Sequence, residues 1–311
     1  MPSNNAPAPP WAVQIHCGDA MALLPATSLR TMIRPFDHVF ADLPYSRRVH
    51  AKAVSCANDG QAAAAAGERV RVRDLGFGYL TPQLRRYTAQ ACAAATGYSL
   101  LYSDLQSAAW LRIACQAAGA EYVREVPWVR WSMAQLSADR PPSGAEMILL
   151  VHGQDIGPRG GVRPRPKVWY GPGWLTAFDH VCMRGSDKHP TEKPLAQALD
   201  FVHMFSRPGE IIYVPCSGSG SVELACAMLG RAAVGVELQP EHHERSTARL
   251  AAWVERRELS PRDGEQLARW RQALDARAAH IAGLVGDHKK QAIRCLDAMA
   301  EDRMVLGGLL K

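Results

Sequence analysis

The chain has 311 residues, 47% of them hydrophobic, enough to bury the core of one large α/β domain or two modest ones. With 36 Lys and Arg, mostly Arg, against 30 Asp and Glu, the net charge of +6 favours an anionic partner. The 8 cysteines are scattered without a C-x-x-C pair, which argues against a disulfide scaffold and a zinc or other metal site, and no apolar run is long enough to span a membrane. The polar, proline-rich start, Met1 to Pro10, has no charged-then-apolar leader pattern, so the expected location is the cytoplasm.

After this lead, Trp11 to His16 reads as a strand ending in Cys17-Gly18-Asp19, and Ala20 to Pro25 as a helical turn. Phe36 to Ala41 is the next strand and runs into Asp42-Leu43-Pro44-Tyr45. From Ser46 to about Arg73 the composition changes to Arg47, Arg48, His50 and Lys52, then alanines 62–66, then Arg69, Arg71 and Arg73. This reads as a long basic loop, a length uncommon unless functional or disordered. Thr81-Pro82 opens a helix through about Ala95, with Thr81 as its cap and Pro82 in the first helical position.

Tyr98 to Tyr102 is a buried strand ending in Ser103-Asp104, and Leu105 to Ala118 a helix closed by Gly119. Val123 to Met133 and Met147 to His152 read as two strands antiparallel to each other, whereas Gly153 to Lys188 shows little periodicity. Helix Pro194 to Ser206, strand Glu210 to Val214, helix Ser221 to Leu229, strand Ala232 to Leu238 and helix Pro240 to Glu258 follow. Ser260-Pro261 then divides a domain of residues 1–259 from a helical extension of residues 260–311, with helices near 263–279 and 288–304. The expected fold is α/β: a doubly wound, mostly parallel sheet of about seven strands with a C-terminal helical extension.

In such sheets ligands bind beyond the carboxyl ends of strands, and two distinctive segments sit at such ends. Asp42-Leu43-Pro44-Tyr45 offers an acid, a kinked backbone and an aromatic ring. Val214-Pro215-Cys216-Ser217-Gly218-Ser219-Gly220 is a glycine-rich turn between strand and helix, where the backbone can approach a ligand and the helix offers free N–H groups. Glu237, at the tip of the following strand, is placed to accept hydrogen bonds from ribose hydroxyls. Together these residues predict chemistry on a planar nitrogen base with a nucleoside cofactor, the catalytic piece preceding the cofactor piece in the chain.

His189-Pro190-Thr191-Glu192-Lys193-Pro194, Pro208-Gly209-Glu210, Ser217-Gly218-Ser219-Gly220-Ser221 and Leu229-Gly230-Arg231 through Gly235-Val236-Glu237 resemble the amino-group DNA methyltransferases. These enzymes methylate adenine N6 or cytosine N4 with S-adenosylmethionine. Gly18-Asp19 and Asp42-Leu43-Pro44-Tyr45 resemble the companion motifs, and their order resembles the permuted β-class. Tyr98 to Asp104, Trp128 to Met133 and Glu146 to Val151 resemble the intervening strands, so that the likeness spans about residues 13–252. The resemblance implies a Rossmann-like methyltransferase fold with Asp42, Leu43, Pro44 and Tyr45 as the catalytic set.

Asp42 and the carbonyl of Leu43 would grip the two amine hydrogens, and Tyr45 would stack on a base swung out of the duplex. Thr191 and Lys193 would hold the methionine carboxylate of S-adenosylmethionine, Pro215 and Ser217, Gly218, Ser219 and Gly220 would approach its methionine and ribose, and Glu237 would take the ribose hydroxyls. Asp19 would meet the adenine amino group, although a carboxylate there also suits a helix N-cap. Two departures are evident: Leu43 stands where the family usually has proline, and Val214 where it usually has an acid.

Duplex DNA is the expected partner. Arg159, Arg163, Arg165 and Lys167, interleaved with Trp169, Tyr170 and Trp174, make Gly153 to Lys188 a candidate target-recognition segment, and Arg47, Arg48 and Lys52 are candidate phosphate contacts. Asp42 favours adenine N6, because cytosine N4 enzymes of the family often carry serine there. The alternatives are cytosine N4 methylation, a catalytically degenerate DNA-binding relative, and an RNA methyltransferase. The C-terminal helices leave docking, homodimer contacts and further DNA contacts open.

Overall fold

A computed structural model describes residues 12–31, 36–47, 78–129, 144–156, 162–163, 166–172, 175, 177–180, 192–282 and 289–310. In chain order the elements are β1 (Val13–Cys17), α1 (Ala20–Leu23), α2 (Ala26–Thr31), β2 (His38–Asp42), α3 (Pro82–Ala94), β3 (Tyr98–Ser103) and α4 (Leu105–Ala118). β4 (Glu121–Val129), β5 (Ala145–His152), β6 (Asp155–Ile156), β7 (Val162–Arg163), α5 (Leu195–Phe205) and β8 (Ile211–Val214) come next. Last are α6 (Ser221–Leu229), β9 (Ala232–Glu237), α7 (Pro240–Arg256), α8 (Pro261–Ala282) and α9 (Lys289–Leu309).

Local chemistry sets several of these boundaries. The Thr81 hydroxyl accepts the Leu84 N–H at 3.1 Å and Pro82 follows it, so α3 starts where its first orphan donor is satisfied. Asp104 caps α4 by accepting from Gln106 and Ser107, and Gly119 closes that helix at φ 98°, in the left-handed region. The Ser260 hydroxyl takes the Asp263 N–H at 3.1 Å where α8 begins.

Seven strands form one sheet in the order β1-β9-β8-β2-β3-β5-β4. The pairs β1–β9, β9–β8, β8–β2 and β2–β3 are parallel, while β5 runs antiparallel to both β3 and β4. Alternate residues feed opposite faces. Phe40, Leu100, Ile148, Leu150 and Ile212 join one buried cluster, and Val39, Ala41, Leu101, Leu149, Val151 and Tyr213 join the other. Each buried Val, Leu, Ile or Phe among them contributes about 1.5–3 kcal/mol. Helices α1 to α4 cover the second face and α5 to α9 the first, which makes the doubly wound sandwich expected from the strand–helix alternation.

The C-terminal helices belong to that first layer. Leu267, Trp270, Leu274, Ile281, Cys295, Met299 and Leu306 are buried in the same cluster as α5 and α6. Among the roles left open for these helices, docking on the sheet domain is what the packing realises. The structure also adds elements without clear sequence signals: α2, and the β6–β7 pair inside the aperiodic segment. β4 begins at Glu121 rather than Val123, and the expected continuation through 130–133 lies outside the described residues.

The chain leaves β8 toward β9 and β1, but leaves β2 toward β3. The carboxyl ends of β8 and β2 therefore flank a point where the winding reverses, which opens a crevice between them.

Candidate active site

Asp42 is the last residue of β2, in register with Tyr102 of the parallel neighbour β3. The segment beyond it is pinned from both sides. Ser46 N–H donates to Asp104 Oδ2 at 2.7 Å and Leu80 N–H to the Tyr45 carbonyl at 3.0 Å. The cofactor-type turn leaves β8 on the other side of the crevice. Gly218 and Gly220 have φ of 54° and 73°, and a Cβ on Gly220 would stand 3.0 Å from Ser246 Cβ of α7. Gly218 N–H donates to Glu237 Oε2 at 2.7 Å and Gln239 N–H to Oε1 at 2.9 Å, which holds the Glu237 carboxylate against the turn. Asp42, Lys193, Val214, Ser217, Gly218 and Ser219 line one pocket. The two sequence segments, about 170 residues apart, thus converge on a single site.

Lys193 joins the halves. Its backbone carbonyl accepts from Ser221 Oγ at 3.0 Å, at the start of α6. Its ammonium lies 2.9 Å from Asp42 Oδ1 and 3.4 Å from Glu146 Oε2, and Glu146 also accepts from the Tyr45 hydroxyl. Three rings surround that ammonium, with centroids 5.6 Å (Tyr45), 5.0 Å (Tyr102) and 5.8 Å (Trp128) away, at cation–π distance. Burial raises the Asp42 pKa above 3.8; Lys193 opposes the rise and the Glu146 charge adds to it. Asp42 is therefore a stronger hydrogen-bond acceptor than an ordinary surface carboxylate. Cys216, in the same wall, has its thiol pushed well up by burial and by the Glu237, Asp42 and Asp19 carboxylates, so it is not a thiolate nucleophile near neutral pH.

The other predicted residues divide into three groups. Leu43 is buried, Pro44 and Tyr45 are half-buried beyond the end of β2, and Pro215 opens the glycine turn. Asp19 is exposed and caps α1, accepting Met21 N–H at 2.9 Å; it stands next to the Glu237 tip, because Gly18 N–H donates to the Glu237 carbonyl at 2.9 Å, but it does not line the pocket. Thr191, Arg48, Lys52, Arg159 and Arg165 lie outside the described residues, as does the side chain of Arg163.

Lys167 is engaged with Glu121 in an exposed ion pair, and Arg47 stacks over Tyr79 at 5.9 Å. Two aromatics offered for base stacking are used inside the protein instead. Trp169 packs edge-on against Phe205 at 4.8 Å, and Tyr170 is covered by Arg207 at 5.0 Å. Both rings are half-buried, held by neighbours within the chain. Glu146, Tyr102 and Trp128 carry the opposite lesson: as sequence they were strand residues, and only the pairing of β3, β5 and β4 brings them around Lys193.

Sheet order and pocket position define the Rossmann-like fold of the S-adenosylmethionine-dependent methyltransferases. M1.HpyAVI in its complex with SAM superposes on 76% of this chain and 99% of its own with a TM-score of 0.54, at 16% identity, a likeness of fold. In residues 97–248, just under half of its length, this chain matches the N6/N4 DNA methylase model. It is 38% identical over 68 residues to the methylase YubD of Escherichia coli (strain K12), covering 22% of this chain and 30% of that one. It is 31% identical over 77 residues to the type II methyltransferase M.HpaI of Haemophilus parainfluenzae, covering 25% of this chain and 24% of that one. The matched stretch is thus less than a third of either methylase.

Proposed function

We propose that the protein is an S-adenosylmethionine-dependent DNA methyltransferase acting on the exocyclic amine of an extruded base, adenine N6 in preference to cytosine N4. The observation that carries this reading is the meeting of Asp42 and Tyr45 with the Ser217–Gly220 turn across one crevice, joined by Lys193. The pocket suits an amphiphilic cofactor: Phe40, Val214 and Val222 supply apolar wall, and Ser217, Ser219 and Lys193 supply polar groups. When bound, the cofactor supplies a methyl group activated on a sulfonium.

An exocyclic amine is a weak nucleophile because its lone pair is conjugated with the ring. Asp42 accepts one amine hydrogen and the Leu43 carbonyl the other, which favours the pyramidal geometry that frees the lone pair. The Lys193 ammonium, 2.9 Å from Asp42, marks the side from which that carboxylate receives N–H donors, and the target amine takes its place there. Once the nitrogen is alkylated its surplus proton passes to Asp42 and on to solvent. Tyr45, held through its hydroxyl by Glu146, supplies the stacking face.

A second reading, a DNA-binding relative with little turnover, rests on Val214. Its apolar side chain stands in the pocket wall where the resemblance leads one to expect an acid. The discriminating experiment is transfer of tritiated methyl from S-adenosylmethionine to unmethylated duplex DNA, with the product nucleosides identified. Label in N6-methyladenine supports the first reading, and label in cytosine alone overturns the base assignment. No transfer, together with no cofactor binding at millimolar concentration, favours the second reading. Parallel reactions on structured RNA test the acceptor class.

A further inference from the structure

We propose that the first turn of α8 completes the cofactor site, with Asp263 acting as a positioning residue for the glycine-rich turn through Arg249. The inference rests on the cofactor reading given above and assigns to the C-terminal helices a part in ligand binding.

Arg249 projects from α7 and its planar guanidinium is held edge-on by Asp263. Nε donates to Oδ2 at 2.9 Å, and Nη2 donates to Oδ1. A bidentate grip of this kind fixes direction as well as distance. It leaves Nη1 aimed at the turn, where it donates to the Ser219 carbonyl at 2.9 Å and to Ser221 Oγ at 3.0 Å. Both serines line the pocket, and Ser221 Oγ in turn donates to the Lys193 carbonyl. Arg262, the residue before Asp263 on α8, reaches Glu192 at 2.9 Å, so the residue before Lys193 is tied to the same helix. The side chains are sheltered, with Asp263 5% and Glu192 7% exposed, so water screens these contacts little.

A turn with glycines at 218 and 220 has large intrinsic freedom, and its contacts with Glu237 restrain only one flank. The Arg249–Asp263 fork restrains the other flank, at the carbonyl between the two glycines. Without Asp263, Arg249 keeps Ser219, Ser221 and the Glu192 carboxylate 3.7 Å away, but loses the two-point fork that fixes the direction of its guanidinium. The turn then samples conformations that do not match the ligand, and binding weakens by the fraction of time spent in them.

The test is calorimetric titration of the full-length protein with S-adenosylmethionine, paired with steady-state kinetics on DNA. Asp263→Asn should raise the cofactor Kd and KM about tenfold, the scale of lost charge-assisted hydrogen bonds, with kcat at saturating cofactor changed less than twofold. Asp263→Glu should recover part of the loss. Asp275→Asn, which removes the exposed Arg303–Asp275 pair elsewhere on α8, should leave Kd unchanged. Wild-type Kd values in both folded Asp263 variants would overturn the proposal, as would an equal loss in Asp275→Asn. If Asp263→Asn fails to fold, Arg262→Gln decides the question: a Kd raised about threefold supports the brace, and an unchanged Kd overturns it. Absence of binding by the wild-type protein would instead overturn the cofactor reading itself.

Discussion

Asp42 at the end of β2 and Asp200 on α5 are both carboxylates drawn away from bulk water beside a cation, yet their acidities move in opposite directions. Burial raises the pKa of Asp200, but Arg277 and His180 outweigh it and hold the group well below 3.8. Arg277 donates at 2.6 and 2.7 Å, Trp270 Nε1 at 2.8 Å, and His180 Nε2 lies 2.8 Å away. Asp302 follows the same pattern among Arg231 and His203, its pKa likewise lowered against burial. Asp42 has one principal cation, Lys193, and a second carboxylate nearby, and its pKa ends raised. The number of donors closing on the carboxylate separates a charge that fastens helices from one kept ready to accept a new hydrogen bond.

Removing the carboxylate proposed to act on the amine should give the largest effect. Asp42→Ala is expected to lower turnover roughly a hundred- to ten-thousand-fold while gel-shift affinity for DNA changes little. Wild-type rates in that variant would take Asp42 out of the reaction. The two kinds of carboxylate should also separate in pH. Asp42 must be ionised to accept, so the rate falls as pH drops through its raised pKa. Asp200 and Asp302, with folded pKa values below 3.8, contribute stability that is present above 3.8 and lost only as pH falls through those depressed values. The acid limb of the rate profile should therefore lie above the acid unfolding midpoint followed by circular dichroism, and coincidence of the two would erase the distinction.

Asp302→Ala leaves Arg231, itself 1% exposed, without its carboxylate, and is expected to cost about 3–5 kcal/mol in urea unfolding. Turnover per folded molecule should persist; if catalysis failed first, the cluster would have a role beyond fastening. Glu223 sharpens the contrast from a third position. Burial pushes its pKa up to about 7, opposed by the Ser217 hydroxyl, so the folded protein keeps a proton that the unfolded chain releases near 4.5. Stability from this group therefore declines between about pH 4.5 and 7. Glu223→Gln should raise stability at pH 8 by up to about 3 kcal/mol and leave it nearly unchanged at pH 4.5. Thermal melts at the two values check this. The smallest effect belongs to the exposed Lys167–Glu121 pair, where Lys167→Ala should change stability by less than about 0.5 kcal/mol.

Much of this architecture was legible in the chain because it is written locally. Thr81-Pro82, Gly119 and Ser260-Pro261 mark helix ends through their own side chains or backbone freedom, and the β8–turn–α6–β9 unit is contiguous from Ile211 to Glu237. The Asp42 side of the crevice was legible for the same reason, since Asp42 through Tyr45 is one short segment. Glu146 was not legible as a pocket residue. It reaches Lys193 because β5 pairs antiparallel with β3, with Met147 opposite Ser103, and nothing near Glu146 in sequence encodes that register. Trp169 was open between two readings. A tryptophan among arginines suits both a nucleic-acid surface and a core edge, and the choice was made by Phe205 on α5, distant in the chain. The Arg249–Asp263 contact with the glycine-rich turn was hidden for a related reason, since both read as ordinary polar positions of two separate amphipathic helices.

The sheet order also bears on how this protein is made. Among the strands β1 pairs only with β9, and β2 reaches the β1 side of the sheet only through β8 and β9, so the two earliest strands do not pair. While a ribosome is still short of Ile211, β2, β3, β5 and β4 can assemble as a half-sheet, and β1 has no neighbour to pair with. Closing the seam must wait for the last third of the chain and brings together residues such as His38 and Ile212, about 170 positions apart, the kind of long-range step that slows folding. The crevice is formed by that seam, so a truncated product released before it closes would be chemically silent.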